Sequence, residues 1–204
     1  MKHFERELVQ GYLHGPPNPN GNGLVITHGA GSNSDTALLR AVAEAFAQAG
    51  VTVLRCDLPF RQQRPKGPPF PAQAGRDREG LRRAAEAMRE LVPGRVFLGG
   101  HSYGGRQASM LAAEETGLAD ALLLLSYPLH PPRKPQDLRT GHFGSLNTPA
   151  LFVHGTRDSF GSIDEMRAVL ELIPARTDLA VVDGAGHSLH PGVAPLCVER
   201  LSVL

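Results

Sequence analysis

Residues 95–106 read RVFLGGHSYGGR. The first four, Arg95-Val96-Phe97-Leu98, have the character of a buried strand, and Tyr103 to Thr116 has that of a helix, with Gly117 placed to stop it. Between the two, Ser102 is enclosed by Gly99, Gly100, Gly104 and Gly105. A chain that turns from strand to helix within about one residue lifts the side chain at its apex above the sheet edge, in a strained backbone conformation. Side chains two positions before and after would collide across the bend, which predicts glycine at 100 and 104. Gly99 and Gly105 relieve the approach of strand and helix further.

The same alternation runs outward in both directions. Toward the amino terminus, Leu24–Thr27 is a short apolar run ended by His28-Gly29-Ala30-Gly31. Asp35–Ala49 then has helical spacing, with Leu38, Leu39, Val42, Ala45 and Phe46 on one face and Gly50 as its stop. Val51–Leu54 reads as a strand. The stretch DLPFRQQRPKGPPFPAQ that follows carries five prolines and predicts no regular structure. Asp77–Val92 reads as a helix whose charged face is solvated. Toward the carboxyl terminus come a strand at Ala121–Leu125, the proline-rich loop YPLHPPRKPQDLRTGHFGSLN, and a strand at Ala150–Val153. A helix at Asp164–Ile173, a strand at Leu179–Val182 and a helix at Val193–Val203 complete the series. Repeated strand–helix units of this length predict an α/β fold: a mostly parallel central sheet with helices on both faces, as one domain over residues 1–204. Ligands on such sheets gather beyond the carboxyl ends of the strands.

Composition narrows the function. With 41% hydrophobic and 20% charged residues among 204, and a formal net charge of +1, the chain is a folded protein with no excess of charge for nucleic acid. No apolar run approaches the roughly 18 residues of a membrane span, and the start MKHFERELVQ lacks the apolar middle of a secretory leader. Two cysteines, Cys56 and Cys197, form no disulfide framework, and reduced thiols suit a cytoplasmic location.

Gly100-His101-Ser102-Tyr103-Gly104 is a G-x-S-x-G pattern in the strand–turn–helix setting that gives it meaning. A serine hydroxyl needs a base to take its proton and a group to orient that base. In this architecture the acid and then the histidine follow the serine, each after a later strand. Asp158 follows the strand at 150–153, and His187 follows the strand at 179–182. Asp164 suits the start of a helix and Asp183 shares the histidine's own loop, so Asp158 is the expected acid. His190 lies beside Pro191, so His187 is the expected base. Negative charge on an attacked carbonyl needs backbone donors, expected from the amides of Tyr103, at the helix start, and Ala30, with Gly31 as the alternative. His28 is expected to brace its loop, His101 to pack or hydrogen-bond under the turn, and His154 to be structural. His187 and His190 lack a spaced third ligand for zinc, so no metal or other cofactor is expected.

Four motifs carry a resemblance: THGAGSN, GGHSYGG, HGTRD and GAGHS, in that order. With them the chain resembles the α/β-hydrolase superfamily from about Leu24 to its end. SYGGRQASMLAAE, SYPLHPPRKP and FVHGTRDSFGS are similar to the small dienelactone-hydrolase-like branch that also contains testis-expressed protein thirty and the hydrolase-like domain of NSL complex subunit three. The resemblance implies an eight-stranded type of sheet trimmed to a compact core, with no separate cap domain. It also implies a catalytic triad of Ser102, Asp158 and His187. Dienelactone hydrolases proper carry cysteine at the turn, where this chain has Ser102.

The reaction expected is hydrolysis of a small carboxylic ester or thioester through an acyl-enzyme on Ser102, without nucleic-acid or membrane partners. The alternatives are a non-catalytic interaction module that keeps the fold, or an acyltransferase using the same residues. The two proline-rich loops leave carboxyl ends of strands and are expected to wall the entrance. Arg61, Arg64, Lys66, Arg133 and Lys134 lie on them as candidates to attract an anionic substrate, the plainer reading being solubilising charge.

Overall fold

The computed structural model describes all 204 residues. Eight strands form one sheet in the order β1-β2-β4-β3-β5-β6-β7-β8. The six strands from β3 onward are parallel: β3 (Gly23–Thr27), β4 (Thr52–Asp57), β5 (Val96–His101), β6 (Ala121–Leu125), β7 (Ala150–Gly155) and β8 (Thr177–Val182). β3, β6 and β7 are buried along their whole length, as a parallel sheet covered on both faces requires.

Alternate residues of these strands feed two cores. On one face Val25, Leu54, Leu98, Leu122 and Phe152 pack against α3 (Ala74–Leu91), α4 (Tyr103–Glu114) and α5 (Ile163–Leu170). On the other, Leu24, Ile26, Val53, Phe97 and Leu123 pack against α1 (Ala37–Gln48) and α6 (Ala194–Ser202). α1 shows how sequence builds such a layer. Thr36 caps it by accepting from the Leu39 amide at 3.3 Å, and Gly50, at φ +92°, turns the chain away after its end. Between those limits Leu39, Val42 and Phe46 are buried on one stripe, each stabilising the fold by roughly 1.5–3 kcal/mol.

The structure departs from the sequence expectations at three places. Ahead of β3 lies an antiparallel hairpin, β1 (Lys2–Arg6) and β2 (Val9–His14), which joins the sheet through β2 against β4. The first proline-rich stretch is not wholly irregular: Pro59 opens a short helix, α2 (Pro59–Gln63), and Pro71 opens a single 3-10 turn. Proline at a first helical position gives up an amide that has no partner anyway. β4 runs three residues past its apolar stretch, because buried Arg55 is satisfied there by His14 Nε2 at 2.9 Å and by the Ser34 carbonyl. No cap domain interrupts the alternation, and no helix is long and apolar enough to cross a membrane.

Candidate active site

The turn between β5 and α4 is as tight as the glycines suggest. Ser102 sits at φ 51°, ψ −115°, a region that side-chain-bearing residues avoid, and its amide is held by the Leu125 carbonyl at 2.8 Å. A Cβ at 100 would stand 2.6 Å from the Thr27 carbonyl oxygen, and one at 104 would stand 2.5 Å from that of His28. The crowding therefore comes mainly from the end of β3, and the collision across the bend itself falls at Gly105, against the Gly100 carbonyl.

Ser102 Oγ lies 2.8 Å from His187 Nε2, and His187 Nδ1 lies 2.8 and 3.0 Å from the two oxygens of Asp158. Asp158 stands just past β7 and His187 past β8, on adjacent strands whose following loops are pinned together by the Arg157 amide on the Ala185 carbonyl at 2.9 Å. The carboxylate sets the tautomer: a proton on Nδ1 faces Asp158, leaving Nε2 bare to accept from the serine hydroxyl. Burial alone would raise the Asp158 pKa. The hydrogen bonds from His187 and from the Phe160 amide outweigh it, and the carboxyl is held below its ordinary range. Asp183 accepts from the Thr156 hydroxyl and Asp164 pairs with Arg167, so both expected rivals are engaged elsewhere.

Two further rings flank His187, and a third lies beside its acid. Phe160 stacks on it, with ring centroids 4.1 Å apart and an interplanar angle of 28°. His101 Nε2–H donates to the His187 carbonyl at 2.8 Å, and His154 Nε2–H donates to the Gly161 carbonyl at 2.8 Å beneath the acid loop. Burial, ahead of every other influence, lowers the pKa of both His101 and His154. Phe160 has no sequence signature, being one apolar residue in an irregular segment.

The loop after β3 faces the serine across an open cleft of about 300 Å³, lined by Gly29, Ala30, Gly31, Ser32, Phe160 and the reacting side chains. The Ala30 amide donates to no acceptor within the chain, and the Tyr103 amide, first in α4, has no intrahelical partner. His28 braces this loop. Its Nδ1–H donates to the Gly29 carbonyl at 2.8 Å while its Nε2 accepts from the Leu58 amide at 3.1 Å, and burial lowers its pKa to about 4.

Arg61, expected at a substrate entrance, is instead only 7% exposed and holds the same loop from behind. Its Nε donates to the Ser32 carbonyl at 2.7 Å. Its terminal nitrogens donate to the carbonyls of Ala30 at 3.0 Å, Gly67 at 2.9 Å and Arg64 at 3.1 Å. Arg64 is likewise spent locally, on the Pro68 carbonyl and over the Phe70 ring. Arg133, Lys66 and Lys134 are exposed, and none of them lines the cleft at Ser102. Asp77, which the sequence marks only as the start of a helix, is fully buried. It accepts from the Phe60 amide at 3.0 Å and the Tyr103 hydroxyl at 2.8 Å, fixing the residue next to the serine. No three His, Cys, Asp or Glu side chains are gathered as a metal site would need.

Comparison with solved structures gives the same architecture throughout. TT1662 from Thermus thermophilus is 24% identical and superposes with a TM-score of 0.78, the alignment covering 99% of this chain and 97% of that one. An alpha-beta serine hydrolase homologue from Coxiella burnetii is 16% identical at a TM-score of 0.77, covering 98% and 96%. A dienelactone hydrolase from Anabaena variabilis is 23% identical at 0.72, covering 95% and 88%. At these identities the likeness establishes the fold. The sequence model of the alpha/beta hydrolase domain family matches residues 20–195, which takes in the serine turn, the acid and the histidine. The chain belongs to the alpha/beta hydrolase domain family.

Proposed function

We propose that the chain is a serine hydrolase that cleaves a small carboxylic ester or thioester through an acyl-enzyme on Ser102. The observation that carries this reading is the continuous relay from Ser102 Oγ through His187 to Asp158, each link 2.8 Å long. His187 Nε2 takes the hydroxyl proton as Oγ attacks the carbonyl carbon, and the imidazolium is stabilised by Asp158. The amides of Ala30 and Tyr103 receive the oxyanion. His187 then gives its proton to the departing alcohol or thiol. Water, deprotonated by the same nitrogen, attacks the acyl carbon and releases the acid with Ser102 restored.

Openness at the serine favours small substrates, with water within reach of the acyl group. Within the family, the motifs around Arg106, Pro131 and Phe160 favour the dienelactone-hydrolase-like branch of testis-expressed protein thirty and NSL complex subunit three. Serine at 102 distinguishes this chain from the cysteine enzymes. Residues 1–204 act as one catalytic unit in the cytoplasm. Cleavage of p-nitrophenyl acetate and butyrate by purified protein tests the proposal: rates should fall by about 10⁴-fold in Ser102→Ala and His187→Ala. Equal rates in wild type and variants would reduce the activity to an adventitious one and sink the reading.

A further inference from the structure

One helical turn beyond the serine, α4 carries a cation that nothing in the protein neutralises. Arg106 is partly buried, its Nε is closed off from solvent without a hydrogen-bond partner, and its guanidinium enters no ion pair. Comparable arginines are tied: Arg78 to Glu114 and Gln107, Arg82 to Glu79 and Glu115, and Arg139 to the Pro128 carbonyl. A partly desolvated guanidinium with no anionic partner, beside only the neutral Tyr127 hydroxyl, has capacity for an acceptor supplied from outside the chain.

The surroundings say which kind. Arg106 lines a second cleft, of about 310 Å³, between α4 and the segment carrying Pro69 and Phe70. Phe70, Tyr103 and Met110 make its apolar wall, and Arg106 and Gln107 are polar members of its lining. The Gln107 carbonyl oxygen already accepts from Arg78 at 3.1 Å, and the Tyr103 hydroxyl is spent on buried Asp77, so what remains for a ligand is a set of N–H donors. None of the groups packed near Arg106 supplies negative charge: burial pushes the Tyr127 hydroxyl up and keeps it neutral. His142 is pushed down to about 4 by burial and then by the Arg106 charge, and Arg139 is a second guanidinium. Tyr103 lies next to Ser102 in the chain and walls this second cleft, and its amide is the one assigned to the oxyanion in the proposed mechanism. Arg106 also lies in the first turn of the helix that follows Ser102, its amide donating to the Ser102 carbonyl at 2.9 Å.

We propose that this cleft receives a carboxylate carried by the substrate, with Arg106 as the residue that selects it, so that the preferred ester is a half-ester of a small dicarboxylic acid. The planar guanidinium fork matches a carboxylate in two parallel hydrogen bonds, the Gln107 amide adds a donor, and Arg139 adds positive potential. The inference rests on Ser102 as nucleophile, and it replaces the loop cations Arg61, Arg64 and Arg133 as the source of anion recognition.

The test compares two esters that differ at one end only, p-nitrophenyl pentanoate and mono-p-nitrophenyl glutarate, with the rate of Ser102→Ala subtracted to remove self-hydrolysis. Wild type should prefer the glutarate by about ten-fold or more in kcat/KM. Arg106→Gln should bring that ratio to about one, and Arg106→Lys should fall between. A wild-type ratio at or below one, or a ratio unchanged in Arg106→Gln while cleavage still needs Ser102, overturns the carboxylate site and leaves the hydrolase standing. An equal or greater preference for a phosphate-bearing ester of the same length overturns the choice of carboxylate. Glutarate titrated by NMR into Ser102→Ala reads the site without turnover. Saturable binding, weakened in Ser102→Ala/Arg106→Gln, is expected, and no saturation up to about 50 mM overturns the proposal.

Discussion

Replacing Arg61 with lysine separates the position of the oxyanion loop from its chemistry, because Arg61 lies behind that loop and the reacting side chains lie in front of it. The guanidinium makes four hydrogen bonds, and two of them hold the carbonyls of Ala30 and Ser32 at 3.0 and 2.7 Å. Lysine keeps the charge but donates from a single point, and the carbonyls of residues 30, 32, 64 and 67 converge on a fork it cannot reproduce. With a hydrogen bond to a charged donor worth about 1.5–3 kcal/mol and about two of the four lost, the variant should be destabilised by roughly 3–6 kcal/mol. Part of that loss relaxes the loop rather than unfolding the chain. A misplaced Ala30 amide forfeits most of one oxyanion donor, whose removal costs about 10²–10³ in kcat. Steady-state hydrolysis of p-nitrophenyl butyrate by folded Arg61→Lys, checked by circular dichroism, should show kcat down by roughly 10- to 100-fold with KM within about three-fold. If the melting temperature falls while kcat stays within about three-fold of wild type, Arg61 is structural only and the argument fails.

Other expectations follow from the same geometry. Asp158→Asn should lower kcat about 10³- to 10⁴-fold in ester assays, since an amide neither fixes the Nδ1 proton nor stabilises the imidazolium. Phe160→Ala removes a ring stacked 4.1 Å from His187 and should lower kcat roughly 3- to 10-fold at a thermal stability close to wild type. Gly99→Ala places a Cβ 2.0 Å from the Leu123 carbonyl in mid-sheet and should destabilise by about 3 kcal/mol or more in urea unfolding, whereas Gly31→Ala meets nothing within 4 Å and should be tolerated. His28 is neutral when folded, with a pKa of about 4 against 6.5 unfolded. Between those values the unfolded chain binds the extra proton, so stability should be full above about pH 6.5. It should fall by up to roughly 3 kcal/mol as pH drops toward 4, and a flat urea midpoint over that range contradicts the assignment.

The inner parallel strands are legible in the sequence because burial on both faces gives each an apolar run, as in Ala121–Leu125, while β8, a partly exposed edge strand, shows only its apolar end Leu179–Val182. The hairpin before them is not. β1 reads KHFER, mostly exposed, and its two-residue turn at Glu7-Leu8 puts Leu8 at φ 61° without the glycine or asparagine that announces such turns. Its existence depends on β2 pairing with β4, a contact with no local signature. Ser102, Asp158 and His187 can be singled out because strand ends, glycines and chain order constrain where each can lie. Arg61 cannot, since its meaning depends on four carbonyls from residues 30 to 67 converging on one point, and a proline-rich loop hides that convergence. Asp77 is illegible for a related reason: the sequence marks it only as the start of a helix, and its burial under α2 and Tyr103 comes from contacts with no local signature.

Covalent labelling tests the nucleophile most directly. Native protein treated with a fluorophosphonate should gain one adduct in its intact mass, and peptide mapping should place it on Ser102. The adduct should be lost in Ser102→Ala and strongly slowed in His187→Ala. A folded sample that stays unmodified, or an adduct that maps to any other residue, contradicts the account.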